Sequence, residues 1–351
     1  MRIVVHHDAP LPVSLPSRRF GRPRMVGTAL LLAGVLATTP VGSGPGAAAA
    51  GTLSTAVLVP GTIFVANGGS NGQGASGTGP GSITVYPPGS TGDVRPEAVI
   101  TKGIDNPGSL TFDASGDLWV ANTSGKVVEY SRSELGSTAS LAPTVAISQQ
   151  GGGLAFDPSG DLWVSTTGSS VVEYSKSELA KSGSPEPVFT LSDNYCSVSV
   201  DPSGDLWEGS SANSLAEWPK AELARSGKKA APGVTITSAS LQGPCRPAFD
   251  AAGDLWAGNY NGTTVVEFTK AQLARSGSRS PKVVISSPVC VGPGDIALGA
   301  SGDLWSPCMS TGNVAEFTPA QLARSGSPTP ALDISGPATG LNWPWAVAVE
   351  R

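Results

Sequence analysis

Chemistry in this chain would have to come from carboxylates and cysteines, because histidine is all but missing. His6 and His7 are its two imidazoles, and none follows them. A Ser–His or Cys–His nucleophile pair therefore lacks its base, and no Gly-x-Ser-x-Gly elbow opens onto a helix. Acids recur in pairs such as Asp157 and Asp161, and a Glu recurs at Glu129, Glu173, Glu217, Glu267 and Glu316. The Asp pairs lack the alternating oxygen ligands of a calcium loop. Spacing alone sets no two carboxylates as an acid and a base. The Asp pairs read as turn and strand-end hydrogen-bonding groups, and the Glu set as a repeated structural contact. No catalytic residue, metal or cofactor is assigned.

Cysteine placement carries more information. Cys196 and Cys245 each stand nine residues before the Asp of a Gly-Asp-Leu-Trp phrase, so they are equivalent positions in successive repeats. Cys290 precedes the first strand of the last repeat and Cys308 ends its second. An even count in an exported chain suits disulfides, and the lack of a Cys-x-x-Cys knuckle argues against zinc. The expected bridges are Cys196–Cys245 and Cys290–Cys308.

The elements that must position these groups are internal repeats. Gly-Asp-Leu-Trp recurs at Gly116, Gly160, Gly204, Gly253 and Gly302, in steps of 44, 44, 49 and 49 residues, with a degenerate copy at Gly61–Asn67. Periods of this length, rich in strand signals, indicate propeller blades. Each repeat reads as four strands. The first alternates large and small residues, as in Leu110-Thr111-Phe112, and an Asp-Pro-Ser-Gly type of turn follows. The Asp-Leu-Trp run is the second strand and Val-Val-Glu-Tyr the third. Between the third and fourth strands, Ser131-x-x-Glu134, Ser175-x-x-Glu178, Thr269-x-x-Gln272 and Thr318-x-x-Gln321 predict capped short helices, stopped by Gly183, Gly227, Gly277 and Gly326. The repeated Trp could suggest a carbohydrate platform, but a fixed strand position in every repeat places it between neighbouring blades. The C-terminal Val347–Glu350 matches Leu110–Asp113, so it is expected to close the ring as the first blade's inner strand. Thr55–Leu58 is the rival for that place.

In such a ring the four Cys share one face, where the repeats differ most. Its loops carry Asp105, Asn106, Asp193, Tyr195, Arg246, Asp295, Trp343 and Trp345, together with the Gly-rich insertion Gly68–Gly81 and Tyr260-Asn261. These are the expected ligand-binding residues, for an unidentified small molecule, glycan or protein. A structural alternative is that Trp343 and Trp345 seal the ring. On the other face, Lys181, Arg225, Lys228, Lys229, Arg275 and Arg324 form a basic rim. It reads as solvated surface, or as a weak attraction to an anionic cell surface.

Composition sets the compartment. Arg18, Arg19, Arg22 and Arg24 precede an apolar run from Met25 to about Val41, and Ala47–Ala50 offers cleavage sites, the pattern of a signal peptide over residues 1–50. The remaining 51–351 is then a single secreted domain, expected to be a monomer. It holds 17 basic and 26 acidic residues, a formal net of −9, which argues against a nucleic-acid partner, because phosphate binding needs a basic stripe.

The run Phe-Asp-x-x-Gly-Asp-Leu-Trp-Val-Ala-Asn (residues 112–122) and the Val-Val-Glu-Tyr strand resemble the NHL-repeat and senescence-marker/gluconolactonase-like propeller superfamily, of the bacterial secreted type. The resemblance spans about 300 residues. It implies an all-β, six-bladed propeller with four-stranded blades. For hydrolytic members it implies a carboxylate/amide metal site near the channel, but Asn342-Trp343-Pro344-Trp345 stands where their Glu is sought. The chain also resembles streptogramin-lyase-like propellers, whose catalytic His has no counterpart here. The reading is therefore a non-catalytic binding module, with a metal-dependent lactonase-like hydrolase or a lyase as the alternative.

Overall fold

The structure, a computed structural model, describes residues 58–68, 80–136, 141–167, 170–191, 197–210, 212–223 and 231–351. The expected leader, residues 55–57, most of the Gly-rich insertion, Asp193, Tyr195, Cys196, Arg225, Gly227, Lys228 and Lys229 lie outside the described residues.

Six antiparallel sheets follow one another round an axis, so the fold is an all-β six-bladed propeller. Blade 2 shows the plan: Pro107–Phe112 is innermost, then Leu118–Asn122, Val127–Tyr130 and Val145–Ile147. Blades 3 to 6 repeat it from inner strands Gly153–Phe156, Ser197–Val200, Ala248–Phe249 and Ala297–Leu298. Blade 1 takes its inner strand from the chain's other end. Pro344–Val349 pairs antiparallel with Ile63–Asn67, in register from Ile63–Val349 to Ala66–Ala346. The C-terminal segment thus closes the ring, and the hydrogen-bonding edge of Ile63–Asn67 is covered.

The repeated acids build the turns. Asp113 Oδ1 accepts the N–H of Ser115 and of Asp117, and Asp157, Asp201 and Asp250 do the same in their blades. The turn glycine that follows, Gly116 in blade 2, has φ +82, a conformation that disfavours a β-carbon. The second acid reaches the helix. Asp117, Asp205 and Asp254 each accept the first helical N–H, and Asp161 accepts that of Lys176 at the equivalent place, all at 2.8 Å.

Both halves of the expected capping box form at Thr269 and Thr318, while at Ser175 only the return half does, with Glu178 Oε2 accepting the Ser175 N–H at 2.8 Å. Ser131 makes no cap bond, because its hydroxyl is engaged with Ser133 Oγ at 2.9 Å. Ser175 is likewise engaged with Ser177, and its segment is a 3-10 turn, Glu178–Ala180. The glycines expected to stop the helices lie beyond their ends and do something else. Gly183, Gly277 and Gly326 pair in parallel with the outer strand of the preceding blade, at Ile147, Ile236 and Ile285. The serine before each accepts one more N–H from that strand: Ser182 from Ala146, Ser276 from Thr235, Ser325 from Val284, all at 3.0 Å. Gly92 makes the matching bridge to Ile334, which carries the latch across the ring closure. Each such latch covers part of an outer edge strand.

Buried side chains fall into six clusters, one between each pair of blades. Trp119, Trp163, Trp207, Trp256 and Trp305 are 3–4 % exposed and sit in those clusters. Trp119 meets Phe156 and Trp207 meets Phe249 of the following blade edge to face, at 5.7 and 5.9 Å. The repeated Trp is therefore core between blades.

Candidate functional site

Counting back from the turn acid, the six inner strands present rings of equivalent residues to the axis. One step back are Phe112, Phe156, Val200, Phe249, Leu298 and Val349; two steps back are Thr111, Ala155, Ser199, Ala248, Ala297 and Ala348. Both rings line an axial cavity of about 640 Å³. Small residues leave the space and the larger ones give it apolar walls. Its mouth lies on the turn face, beside Asp113, Asp157, Asp201, Glu350, Arg132 and Arg351. Arg132 is tied down there, with Nη2 2.5 Å from the buried Glu350 carboxylate.

Four steps back the equivalence breaks down. That ring reads Ser109, Gly153, Ser197, Arg246, Asp295 and Ala346. Arg246 belongs to blade 5, and its Nη1 donates to the Leu110 carbonyl of blade 2 at 2.9 Å, with Ser109 Oγ at 3.5 Å. In a ring of six, blades 2 and 5 face each other, so the side chain crosses the axis and floors the cavity. A guanidinium has five N–H donors. Nε and Nη2 find no acceptor among the described residues. Burial pulls the Arg246 pKa down, and Asp295 opposes that shift.

Asp295 is 1 % exposed. Burial raises its carboxyl to about 6 although Arg246 works in the other direction. The Ser109 and Ser197 hydroxyls and the Arg246 N–H also act on this carboxyl and hold it down, although Oδ2 and Ser197 Oγ miss strict hydrogen-bond geometry. The backbone holds Asp295 firmly: its N–H donates to the Trp345 carbonyl at 3.0 Å. The preceding Gly294 makes this approach feasible, since a β-carbon there would meet that carbonyl oxygen at 2.3 Å.

Of the residues expected to bind a ligand, the structure brings Arg246 and Asp295 together, inside the channel wall. Trp345 pairs with Tyr260 at 5.5 Å on the Cys-bearing face, both partly exposed. Asp105 and Asn106 belong to a loop held from below. The Asp105 N–H donates to Asn122 Oδ1 at 2.8 Å, and Asn106, at φ +56, donates to Thr123 Oγ1 at 2.6 Å. Trp343 has φ +54 and accepts the Gly68 N–H through its carbonyl, beside the closing strand.

Asn122 belongs to a device that spacing did not expose. Asn67, Asn122 and Asn259 end their second strands, and each accepts an N–H from the loop entering the inner strand, at 2.8–3.0 Å. Cys308 holds this position in blade 6, where its bridge to Cys290, with Cα atoms 4.8 Å apart, does the same clamping covalently. Cys245 is disulfide-bonded as well; Cys196, its expected partner, lies outside the described residues.

The donor set does not fit the metal centre of lactonase-like propellers. Asp295 is the only carboxylate of its ring, and a guanidinium stands beside it where a dication would be repelled. Two acidic groups of three do come together elsewhere, Asp157–Asp161–Glu173 and Asp250–Asp254–Glu267, within 4.8 Å. In each, the two Asp are turn acids already accepting backbone N–H groups and the third is the strand Glu. In the second, Lys282 Nζ supplies the cation, 2.7 Å from Glu267 and 3.4 Å from Asp254.

No family model and no curated relative matches the chain. Solved structures show the fold. A protein of unknown function from Bacteroides caccae is similar over 84 % of this chain and 100 % of its own, at 10 % identity and a TM-score of 0.56. Virginiamycin B lyase from Staphylococcus aureus is similar over 68 % of this chain and 73 % of its own, at 15 % identity and a TM-score of 0.45.

Proposed function

We propose that the protein is an exported, non-catalytic propeller that holds a small molecule on its axis, against Arg246 and Asp295. One observation carries this reading: a guanidinium crosses the floor of a mainly apolar-walled cavity, and among the described residues its Nε and Nη2 have no acceptor. Cavities of this size with a few convergent polar groups are the usual form of a small-molecule site. The lack of histidine after His7 supports binding over nucleophilic catalysis. The basic, apolar and small-residue runs of the first fifty residues, together with the disulfide, support export.

A fragment library of mixed charge, screened by ligand-observed NMR, tests the reading. Ala297→Leu narrows the cavity, and its hits should be lost or weakened. Hits that persist unchanged in that variant sink the axial assignment. A stoichiometric divalent ion in the purified protein, with lactone turnover that chelation abolishes, would favour the hydrolase instead.

A further inference from the structure

We infer that the axial ligand is an amphipathic anion: a compact aromatic or aliphatic body carrying one carboxylate-type group, seated anion-down on Arg246. The inference rests on the axial reading above and adds the chemistry of the occupant. Three features of the cavity select it. The floor holds the Arg246 guanidinium beside Asp295, and with Nη1 taken by Leu110 the remaining Nε–Nη2 edge of a guanidinium matches a planar two-oxygen acceptor. The walls are mainly apolar, with Phe112, Phe156, Phe249, Leu298 and four Ala broken by the hydroxyls of Thr111 and Ser199, and the half-buried Phe rings keep part of their surface for a flat body. The mouth carries Asp113, Asp157, Asp201 and Glu350 against Arg132, which is paired to Glu350, and Arg351, so its balance is acidic and an anion is favoured more at the floor than at the rim. Three residue steps along the strand separate the Leu110 level from the turn acid Asp113, a depth of about 10 Å. That depth accepts a bicyclic aromatic acid.

Asp295 sharpens the choice. Its buried carboxyl, raised to about 6, stands beside Arg246 and keeps the floor from being a strong general anion trap. A small inorganic anion gains the guanidinium bonds alone, whereas an amphipathic one adds burial of its body. Binding should therefore need both parts of the ligand.

The test is calorimetric titration with 2-naphthoate, its neutral analogue 2-naphthamide, and inorganic phosphate. Wild-type protein is expected to bind naphthoate about tenfold or more tightly than naphthamide, and phosphate far more weakly than either. Arg246→Gln should remove the preference for the acid, and Arg246→Lys should keep part of it. Thermal melting of each variant shows whether loss of the bond to Leu110 has unfolded it. If it has, the comparison of naphthoate with naphthamide on wild-type protein decides by itself. Equal binding of acid and amide, both weakened by Ala297→Leu, overturns the anion inference and leaves the axial site standing. Failure of both naphthalenes to bind also overturns it, while fragment hits that Ala297→Leu abolishes still decide the axial reading.

Discussion

Moving one lysine between blades tests the electrostatics of the repeat. Glu129, Glu173 and Glu217 lie in blades 2, 3 and 4 with carboxyls raised to about 7, by burial first and then by the Asp residues of their own turns. Blade 5 has the same carboxylate at Glu267 and adds Lys282. The Lys282 N–H donates to the Glu267 carbonyl at 2.8 Å, and the Thr144 N–H donates to the Glu129 carbonyl at 2.8 Å, so Thr144 is the counterpart in blade 2. A carboxyl whose folded pKa exceeds its unfolded value binds an extra proton in the folded state between the two. For Glu129 that window runs from the ordinary 4.5 to about 7. Its favourable contribution is complete below the lower value and is lost as pH rises through the upper one. Ionised Glu129, 7 % exposed, therefore costs the fold up to about 3 kcal/mol at pH ~8. A lysine at 144 would be half-exposed, as Lys282 is, so it recovers a fraction of that, about 1 kcal/mol. For a domain of this size that is about 2–3 °C in Tm.

The assay is thermal unfolding of wild type, Thr144→Lys and Lys282→Met at about pH 5 and pH 8, the two sides of the window. Wild type should be less stable at the higher pH. Thr144→Lys should be more stable than wild type there and unchanged at the lower pH, and Lys282→Met should show the opposite pattern. Wild-type stability that is flat or rising across the window refutes the reasoning. So does a gain in Thr144→Lys of equal size at both values.

Other consequences can be checked by unfolding and solution methods. Breaking Cys290–Cys308 should cost about 3 kcal/mol, and the pair Cys290→Ser/Cys308→Asn, which installs the clamp of blades 1, 2 and 5, should recover about 1 kcal/mol over the double alanine variant in urea titration. Ser325→Ala should cost about 1 kcal/mol, through loss of the Val284 N–H bond; no change in urea midpoint would show that the latch is incidental. Ending the chain at residue 343 removes Pro344–Val349 and bares the inner edge of Ile63–Asn67. Size-exclusion chromatography should then show aggregate or unfolded chain, and a soluble compact monomer would show that closure is dispensable.

What could be read from the sequence was whatever the repeats share. Strand order, the turn acids, the inter-blade Trp and the closing strand follow from local patterns that recur in register, and the backbone must answer them in the same way each time. Partners set by ring geometry stayed hidden. The glycine after each helix reads locally as a stop, and only the curvature of the ring brings it beside the preceding blade at Ile147 or Ile285. The capping boxes show a subtler competition. Ser133 and Ser177 offer a hydroxyl that diverts the cap, whereas Ala271 and Ala320 at the same step offer none, and there the box forms. The Asn clamp left a signal, an Asn five residues after the Asp of Gly-Asp-Leu-Trp in two repeats, but its acceptor role depends on a loop in another part of the blade.

Arg246 and Asp295 were visible as residues but not as a pair. Their sequence neighbours place them in loops entering two different blades, and only counting back from the turn acid shows that they stand at one height on the axis. That count also separates scaffold from site. One and two steps back, all six blades agree in being apolar or small, as the fold demands. Four steps back, Ser109, Gly153, Ser197 and Ala346 show that a blade closes the ring without any charge there. Burying a carboxyl and a guanidinium costs several kcal/mol unless geometry repays it, and burial still dominates at Asp295 over Arg246 and the neighbouring Ser109 and Ser197 hydroxyls. A position that the fold tolerates as Gly or Ala, yet that carries two costly groups in adjacent blades, is held by something other than folding. The axial ligand we propose would complete their bonding and supply that reason.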